Sequence, residues 1–252
     1  MKRAVLIALI LAVAAGTTLA GGAQEEGRPE SITVATDATW PPMEFIDSET
    51  GELVGFDIDL INRIAEEAGF EVEIQNTAWD GIFAGLGAGE YDAVISSVTI
   101  TEERQETMDF SEPYVNAGQV LVIQQSQEDV AALEDLRGEA VGAQIGTTGA
   151  IEIDKVDGVE LRTYDEIGLA VEDLANGRIA GVVADTPIAA NYALQNEDYA
   201  EVLEIAGDPF TDEHYGIAVR KGNDEVLEMI NEGLAAAQES DYIEELEKKW
   251  LR

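Results

Sequence analysis

The 252-residue chain has no cysteine, one histidine, and only 14 basic residues against 52 acidic ones. Without cysteine there is no disulfide framework, no thiolate metal site and no cysteine nucleophile, so stability rests on packing alone. His214 is the only histidine. A Ser-His-Asp triad would have to run through it, no nucleophile elbow stands nearby, and a surface histidine is the simpler reading. The common hydrolytic chemistries are thereby disfavoured. The shortage of bases gives a formal net charge of −38, which makes the chain a poor partner for nucleic acid. Hydrophobic residues are 46% of the chain, ordinary for a globular protein, so the charge belongs to the surface of a fold and not to a disordered tail.

Long apolar runs are missing too, with one exception. Lys2 and Arg3 precede the run Ala4 to Ala15, and Thr18, Leu19 and Ala20 supply small residues for cleavage. Residues 1–20 therefore read as a secretory signal peptide, the run being short for a membrane span of roughly 20 residues. Its removal leaves 12 bases against 52 acids, a net charge of −40. "TLAGG", Thr18 to Gly22, looks like a lipoprotein signal in which Gly22 stands where the lipidated cysteine would be. Either the exported protein diffuses freely outside the cytoplasm, or an anchoring cysteine has been replaced. Residues 21–30 read as a polar tether.

From there on, short β-rich runs alternate with helical patterns. Strands are expected at Ile32 to Thr36, Val72 to Gln75, Ala93 to Ile95, Val120 to Gln124, Ala140 to Gln144, Val182 to Ala184 and Tyr215 to Val219, with a short one at Glu52 to Val54. Helices are expected at Ile58 to Ala68, Asp80 to Leu86, Glu102 to Met108, Asp165 to Ala175, Pro187 to Leu194 and Asn223 to Lys249, the last broken near Ser240. Such alternation predicts an α/β fold with mainly parallel strands. Ligands of open α/β sheets bind beyond the carboxyl ends of the strands, so the residues following each strand are the candidates.

Those strand ends hold one cation, several hydroxyls, two indoles and two carboxylates. Arg104 lies in the first turn of a helix that Thr101 can cap, where its charge opposes the helix dipole. A bidentate carboxylate partner would justify it, and a solvated arginine would not need one. "QIGTTGA", Gln144 to Ala150, follows a strand and opens a helix, so Thr147 and Thr148 offer hydroxyls and amides suited to an anion, or only an ordinary cap. Asp185 precedes Thr186 and Pro187, and taken alone is an N-cap. Asp37 taken alone is a turn residue, and Trp40 and Trp79 are packing. "GFDID", Gly55 to Asp59, sets two carboxylates one residue apart at the start of an amphipathic helix that Gly69 ends.

Together these stretches resemble one family. "GFDIDLINRIAEEA", "ATDATWPPMEF", "AWDGIFAGLGAGEYDAVISSVTITEERQETMDFSEPY", "VGAQIGTTGA", "NGRIAGVVADTP" and "YGIAVRKGN" are similar to the extracytoplasmic solute-binding proteins that feed polar amino acids to ABC importers, over essentially the whole mature chain. The resemblance implies a two-lobed type II periplasmic-binding-protein fold with two hinge strands, near Tyr114 to Val122 and Leu203 to Glu213. Residues 31–117 would begin lobe 1, 118–207 form lobe 2, and 208–252 return to lobe 1. It implies that Arg104 clamps a ligand α-carboxylate, helped by Ser97, Thr99 and the amides of Thr147 and Thr148, and that Asp185 takes the α-ammonium. Ser96 or Ser97 would add a further contact. In this family "GFDID" packs and caps its helix beside the site, and neither Asp57 nor Asp59 is a ligand contact.

The side-chain pocket implied is Asp37, Trp40, Trp79 and Gln144. Aromatic faces and a carboxylate suit a guanidinium, which favours arginine, then lysine. Glutamine is the rival, because Gln144 can pair with an amide. A rival of another class is an enzyme like the cyclohexadienyl dehydratases on the same fold. An intact Arg104 and Asp185 pair argues for binding instead. The expectation is a monomeric binder with no cofactor or metal, working with importer permease subunits.

The charge of −40 is not required by the resemblance. Twelve bases cannot pair with fifty-two acids, so most carboxylates are solvated and repel one another, opposing the compact state. Screening over about 3 Å at 1 M salt removes much of that. A protein adapted to a saline surrounding is expected to gain thermal midpoint, ligand-free, as sodium chloride goes from low to molar concentration. A flat midpoint would mean that the charges are spread widely enough to cost little.

Overall fold

The computed structural model describes residues 28–252. The expected signal peptide, Gly22 and the first part of the tether lie outside the described residues. After β1 (Ser31–Thr36) come β2 (Thr39–Trp40), β3 (Glu44–Ile46) and β4 (Leu53–Val54), which pair antiparallel as a small sheet of their own. Helix α1 (Phe56–Ala68) leads to β5 (Glu71–Asn76), α2 (Ile82–Ala88) to β6 (Ala93–Val94), and α3 (Glu102–Thr107) to β7 (Met108–Phe110). Strand β8 (Val115–Asn116) then carries the chain to a second sheet, made of β9 (Gln119–Gln124), β10 (Ala140–Gln144), β11 (Glu160–Tyr164), β12 (Gly181–Asp185) and β13 (Leu203–Ala206). Helices α4 (Thr148–Asp154), α5 (Ile167–Ala175) and α6 (Thr186–Ala190) connect its strands. Strand β14 (His214–Tyr215) returns the chain, β15 (Ala218–Arg220) rejoins the first sheet, and α7 (Asp224–Glu239) and α8 (Tyr242–Trp250) close it.

The strand orders are β5-β1-β6-β15-β7 and β11-β10-β12-β9-β13. In each sheet four of the five strands point the same way. The exceptions, β15 and β9, are the strands by which the chain enters each sheet from a crossing. The crossings themselves, β8 and β14, pair with each other, His214 opposite Asn116 and Tyr215 opposite Val115. The two-lobed type II fold expected from the resemblance is the fold observed.

Periodicity explains most elements. On α1 the residues Leu60, Ile61, Ile64 and Ala65 are buried against the first sheet and α7, and Gly69 ends the helix at φ 75° with its amide donating to the Ala65 carbonyl. Strands buried on both faces, such as β9 and β12, read as continuous apolar runs. The expected strand over Tyr215 to Val219 splits at Gly216 and Ile217, because β14 belongs to the crossing and β15 to the first sheet. Met108, expected to end α3, begins β7. The helix expected over Asn223 to Lys249 is two helices parted at Ser240 and Asp241. The short strands β2, β3, β7 and β8, and the polar edge strand β11, carry too little apolar pattern to be read from sequence.

"GFDID" departs from expectation in one respect: no side chain caps α1, whose N-cap is Gly55. Asp57 is fully buried. Asp59 instead holds the C-terminal helix, accepting from Lys249 Nζ at 2.7 Å and Trp250 Nε1 at 2.8 Å. Among the described residues no helix is long and apolar enough to cross a membrane.

Gly55 has φ 138°, and a Cβ there would lie 2.1 Å from the Met43 carbonyl oxygen, whereas Gly51 at φ 74° faces open space. Gly55→Ala is expected to cost more than about 2 kcal/mol and Gly51→Ala about 1 kcal/mol in denaturant unfolding. Equal losses would show that the approach of β3 to the start of α1 is not a fixed constraint.

Candidate functional site

Where the strand ends of the two sheets face one another they enclose a cavity. All eleven candidate residues line it. Asp37, Trp40, Trp79, Ser96, Ser97, Thr99 and Arg104 come from the first lobe, and Gln144, Thr147, Thr148 and Asp185 from the second. Glu44 on β3, not among the candidates, completes the lining. The lobes meet directly. Gln144 Nε2 donates to Asp37 Oδ2 at 2.9 Å, and Arg104 Nη2 donates to the Gly146 carbonyl at 3.3 Å.

Arg104 is placed by its cap, since Thr101 Oγ1 accepts from the Arg104 amide at 3.1 Å and starts α3 there. Its Nη1 donates to the Thr99 carbonyl at 2.8 Å, and its guanidinium lies 5.5 Å from the Trp79 ring and 5.1 Å from Phe83. The Trp79 face expected for a ligand guanidinium is therefore used by Arg104 itself. Burial pulls the Arg104 pKa down, and the carboxylates of Asp185, Glu213 and Glu103 oppose that. Among the described residues no carboxylate forms an ion pair with it. A half-buried guanidinium with no ion-pair partner, lining a cavity, suits an anion.

Asp185 ends β12 at the N-cap position of α6, yet its side chain makes no cap bond. The simplest solitary role for it is thus excluded. Its Oδ1 accepts from Gln119 Nε2 at 3.0 Å. Burial first, and the nearby Glu213 second, push its pKa up to about 7, while Tyr215 and Arg104 pull it back.

Behind the cavity sits a pair of buried acids. Glu44 accepts from Ser96 Oγ at 3.0 Å and Ser97 Oγ at 3.3 Å, and Asp57 Oδ2 accepts from the Ser97 amide at 2.8 Å and Tyr114 Oη at 2.9 Å. Asp57 Oδ1 is buried without a partner in the hydrogen-bond network. Burial, then the neighbouring Asp57 charge, holds Glu44 well above the usual carboxylate range, and burial lifts Asp57 to about 7. Burial and mutual repulsion thus both favour the protonated form in this pair. Because Ser96 and Ser97 give their hydroxyl protons to Glu44, what they keep for the cavity is oxygen lone pairs. Ser97 is also the one non-glycine residue with positive φ among the described residues, at 50°, a strain held by the Asp57 bond.

Gln144 spends its Nε2 protons on Asp37 and on the Asp165 carbonyl at 2.9 Å, leaving only its oxygen for a ligand. Asp37 Oδ1 accepts from Thr39 Oγ1 at 3.0 Å, and burial raises its pKa against these hydrogen bonds. Thr147 caps α4 through the Ala150 amide. Among the described residues no group of His, Cys, Asp and Glu is arranged to hold a metal. His214 is exposed at the crossing beside Asn116.

The model of the bacterial extracellular solute-binding proteins, family 3, matches residues 32–252. A probable histidine-binding protein of Neisseria gonorrhoeae is 33% identical over 261 residues, covering 100% of this chain and 96% of its own. Among solved structures, an ancestral arginine-binding protein bound to arginine superposes with a TM-score of 0.84 at 41% identity, over 89% of this chain and 100% of that one. An ancestral amino acid-binding protein that is a precursor of cyclohexadienyl dehydratase gives 0.81 at 35% identity, over 88% and 96%.

A carboxyl group whose pKa is near 7 when folded and about 4 when unfolded favours the folded state fully below about pH 4. That contribution is lost as the pH rises to about 7. Asp57→Asn, which can still accept from Ser97 and Tyr114, is expected to shrink the decline in stability of the ligand-free protein between pH 5 and 8 by roughly 1 to 3 kcal/mol. Parallel profiles for the two proteins would show that Asp57 does not titrate at a raised pKa in the folded protein.

Proposed function

The chain belongs to family 3 of the bacterial extracellular solute-binding proteins, and on that premise we propose that it binds a free L-amino acid outside the cytoplasm, arginine first and lysine next, and delivers it to an ABC importer. The observation that carries the reading is that one cavity is lined by a half-buried guanidinium from one lobe and a buried carboxylate from the other. A free amino acid is a zwitterion, and each charge needs a fixed partner once out of water. Arg104, with Thr99 and the Thr147 and Thr148 residues beside it, takes the α-carboxylate; Asp185 takes the α-ammonium. A ligand held by both lobes favours their closed arrangement, and closure gives permease subunits a shape to recognise. Residues 31–117 with 208–252 act as one body and 118–207 as the other, a monomer hinged at β8 and β14.

Arginine is preferred because the distal pocket is rich in acceptors, with Trp40 Nε1 as an unpartnered donor among them. Asp37, the Gln144 oxygen and the serine lone pairs all accept, and a guanidinium has five donors and no acceptor. A glutamine amide brings a carbonyl that needs a donor there, so it ranks below arginine and lysine. Trp40, whose buried Nε1 is unpartnered, is left as the aromatic wall. A substrate without an α-ammonium would have no use for Asp185, which favours binding over a dehydratase-like reaction.

Titration calorimetry with the twenty amino acids is expected to show arginine binding at micromolar affinity or better, about −8 kcal/mol. Arg104→Ala and Asp185→Ala should each weaken every ligand by several kcal/mol, because each leaves a ligand charge buried alone. Asp37→Asn should hurt arginine and lysine more than glutamine. Silence with arginine, lysine, histidine and glutamine alike would overturn the reading. Three substitutions that weaken all ligands equally would overturn the division into clamp and pocket.

A further inference from the structure

A second carboxylate stands behind Asp185. Glu213 lies on the return crossing just before β14, half-buried, and does not line the cavity. Its Oε2 accepts from Thr148 Oγ1 at 2.7 Å and its Oε1 from Thr211 Oγ1 at 2.9 Å. The fully buried Gln119 side chain, at the start of β9, reaches both acids, its Nε2 lying 3.0 Å from Asp185 Oδ1 and 3.4 Å from Glu213 Oε2. Gly149 is what leaves room for that amide, since a Cβ there would sit 2.9 Å from Gln119 Oε1. The arrangement joins the return crossing, the start of β9, the start of α4 and the end of β12 through one side chain.

We propose that Glu213 is a positioning residue of the ammonium subsite: a hinge-borne carboxylate, bridged to Asp185 by Gln119, that makes the cavity select ligands carrying an α-ammonium group over carboxylates without one. The inference rests on Asp185 receiving that group. Two like charges sharing one amide donor repel, and a cation between Arg104 and Asp185 relieves them. Burial and Glu213 are the two largest causes of the raised Asp185 pKa. The groups facing Asp185 are Glu213 from the return crossing, Tyr215 from β14 and Arg104 from α3, with neutral Gln119 and Thr148 from β9 and α4. Asp185 must be ionised to hold an ammonium, so affinity is full above about pH 7 and falls as the pH drops below it.

The test is Glu213→Gln, which keeps the shape and an acceptor oxygen for Thr148. Binding of arginine and of 5-guanidinopentanoate, which is arginine without its α-amino group, is measured by calorimetry at pH 8 and then across pH 5 to 8. At pH 8 the variant is expected to bind arginine about tenfold more weakly and the desamino compound within about twofold of wild type. The pH at which arginine affinity begins to fall should move lower in the variant. Equal loss for both ligands would mean that Glu213 only holds the hinge together, and an unchanged ratio with an unchanged pH profile would mean that it does nothing at the subsite; either overturns the inference. A wild-type protein that binds no amino acid overturns instead the underlying reading of the cavity, and this inference with it.

Discussion

A buried ion must have a fixed partner of opposite charge, and that constraint organises this molecule. Arg104 is the half-buried cation of the cleft, placed in the first turn of α3 where the helix dipole disfavours it, without an ion-pair partner among the described residues. Asp185 is a carboxylate at a helix start that does not cap the helix. Each is unfavourable in its own lobe. They become favourable when a zwitterion lies between them, which requires the lobes to meet. The strand arrangement delivers that geometry, since four of five strands in each sheet point one way and the residues after them face a common gap.

The same constraint explains how the cleft holds so many acids. Asp37, Glu44 and Asp185 line the cavity with Arg104, and Asp57 stands just outside it on the Ser97 amide. Two unit charges 4 Å apart interact by about 4 kcal/mol at an effective dielectric of 20, so full ionisation would expel the pair at Glu44 and Asp57 from the interior. Burial and repulsion favour protonation of the pair over its full ionisation. The carboxyl oxygens of Glu44 accept from the Ser96 and Ser97 hydroxyls and so leave oxygen lone pairs at the pocket floor.

Much of this was legible in the sequence, and the part that was not has physical causes. The regular alternation of strands and helices located the strand ends, and the side chains at those ends are the ones around the cavity. Asp37, Arg104 and Asp185 stand out there because each is a charge beside apolar runs. Glu44 does not stand out, since it lies on one of the short strands that carry no readable pattern, and its contacts with Ser96 and Ser97 come from a distant segment. Glu213 is hidden differently. In a chain with 52 acidic residues, a carboxylate in the loop "FTDEHYG" carries no signal until Thr148 and Gln119 are seen to reach it.

The two carboxylates of "GFDID" show what such a stretch does when it makes no ligand contact. Residues two apart on a helix point to nearly opposite sides. Asp57 therefore turns inward, to the Ser97 amide and Tyr114, and fixes the backbone from which the pocket serines project. Asp59 turns outward, to Lys249 and Trp250, and fastens α8. Between them runs the buried face of α1, packed on α7, where Gly233 lets the helices approach so closely that a Cβ would lie 2.3 Å from the Ile64 carbonyl oxygen. The floor of the cavity and the last helix of the chain are thus held by the same thirteen-residue helix. A loss at either carboxylate is transmitted through a rigid element, which is why a segment with no ligand contact can still be fixed by the needs of the site.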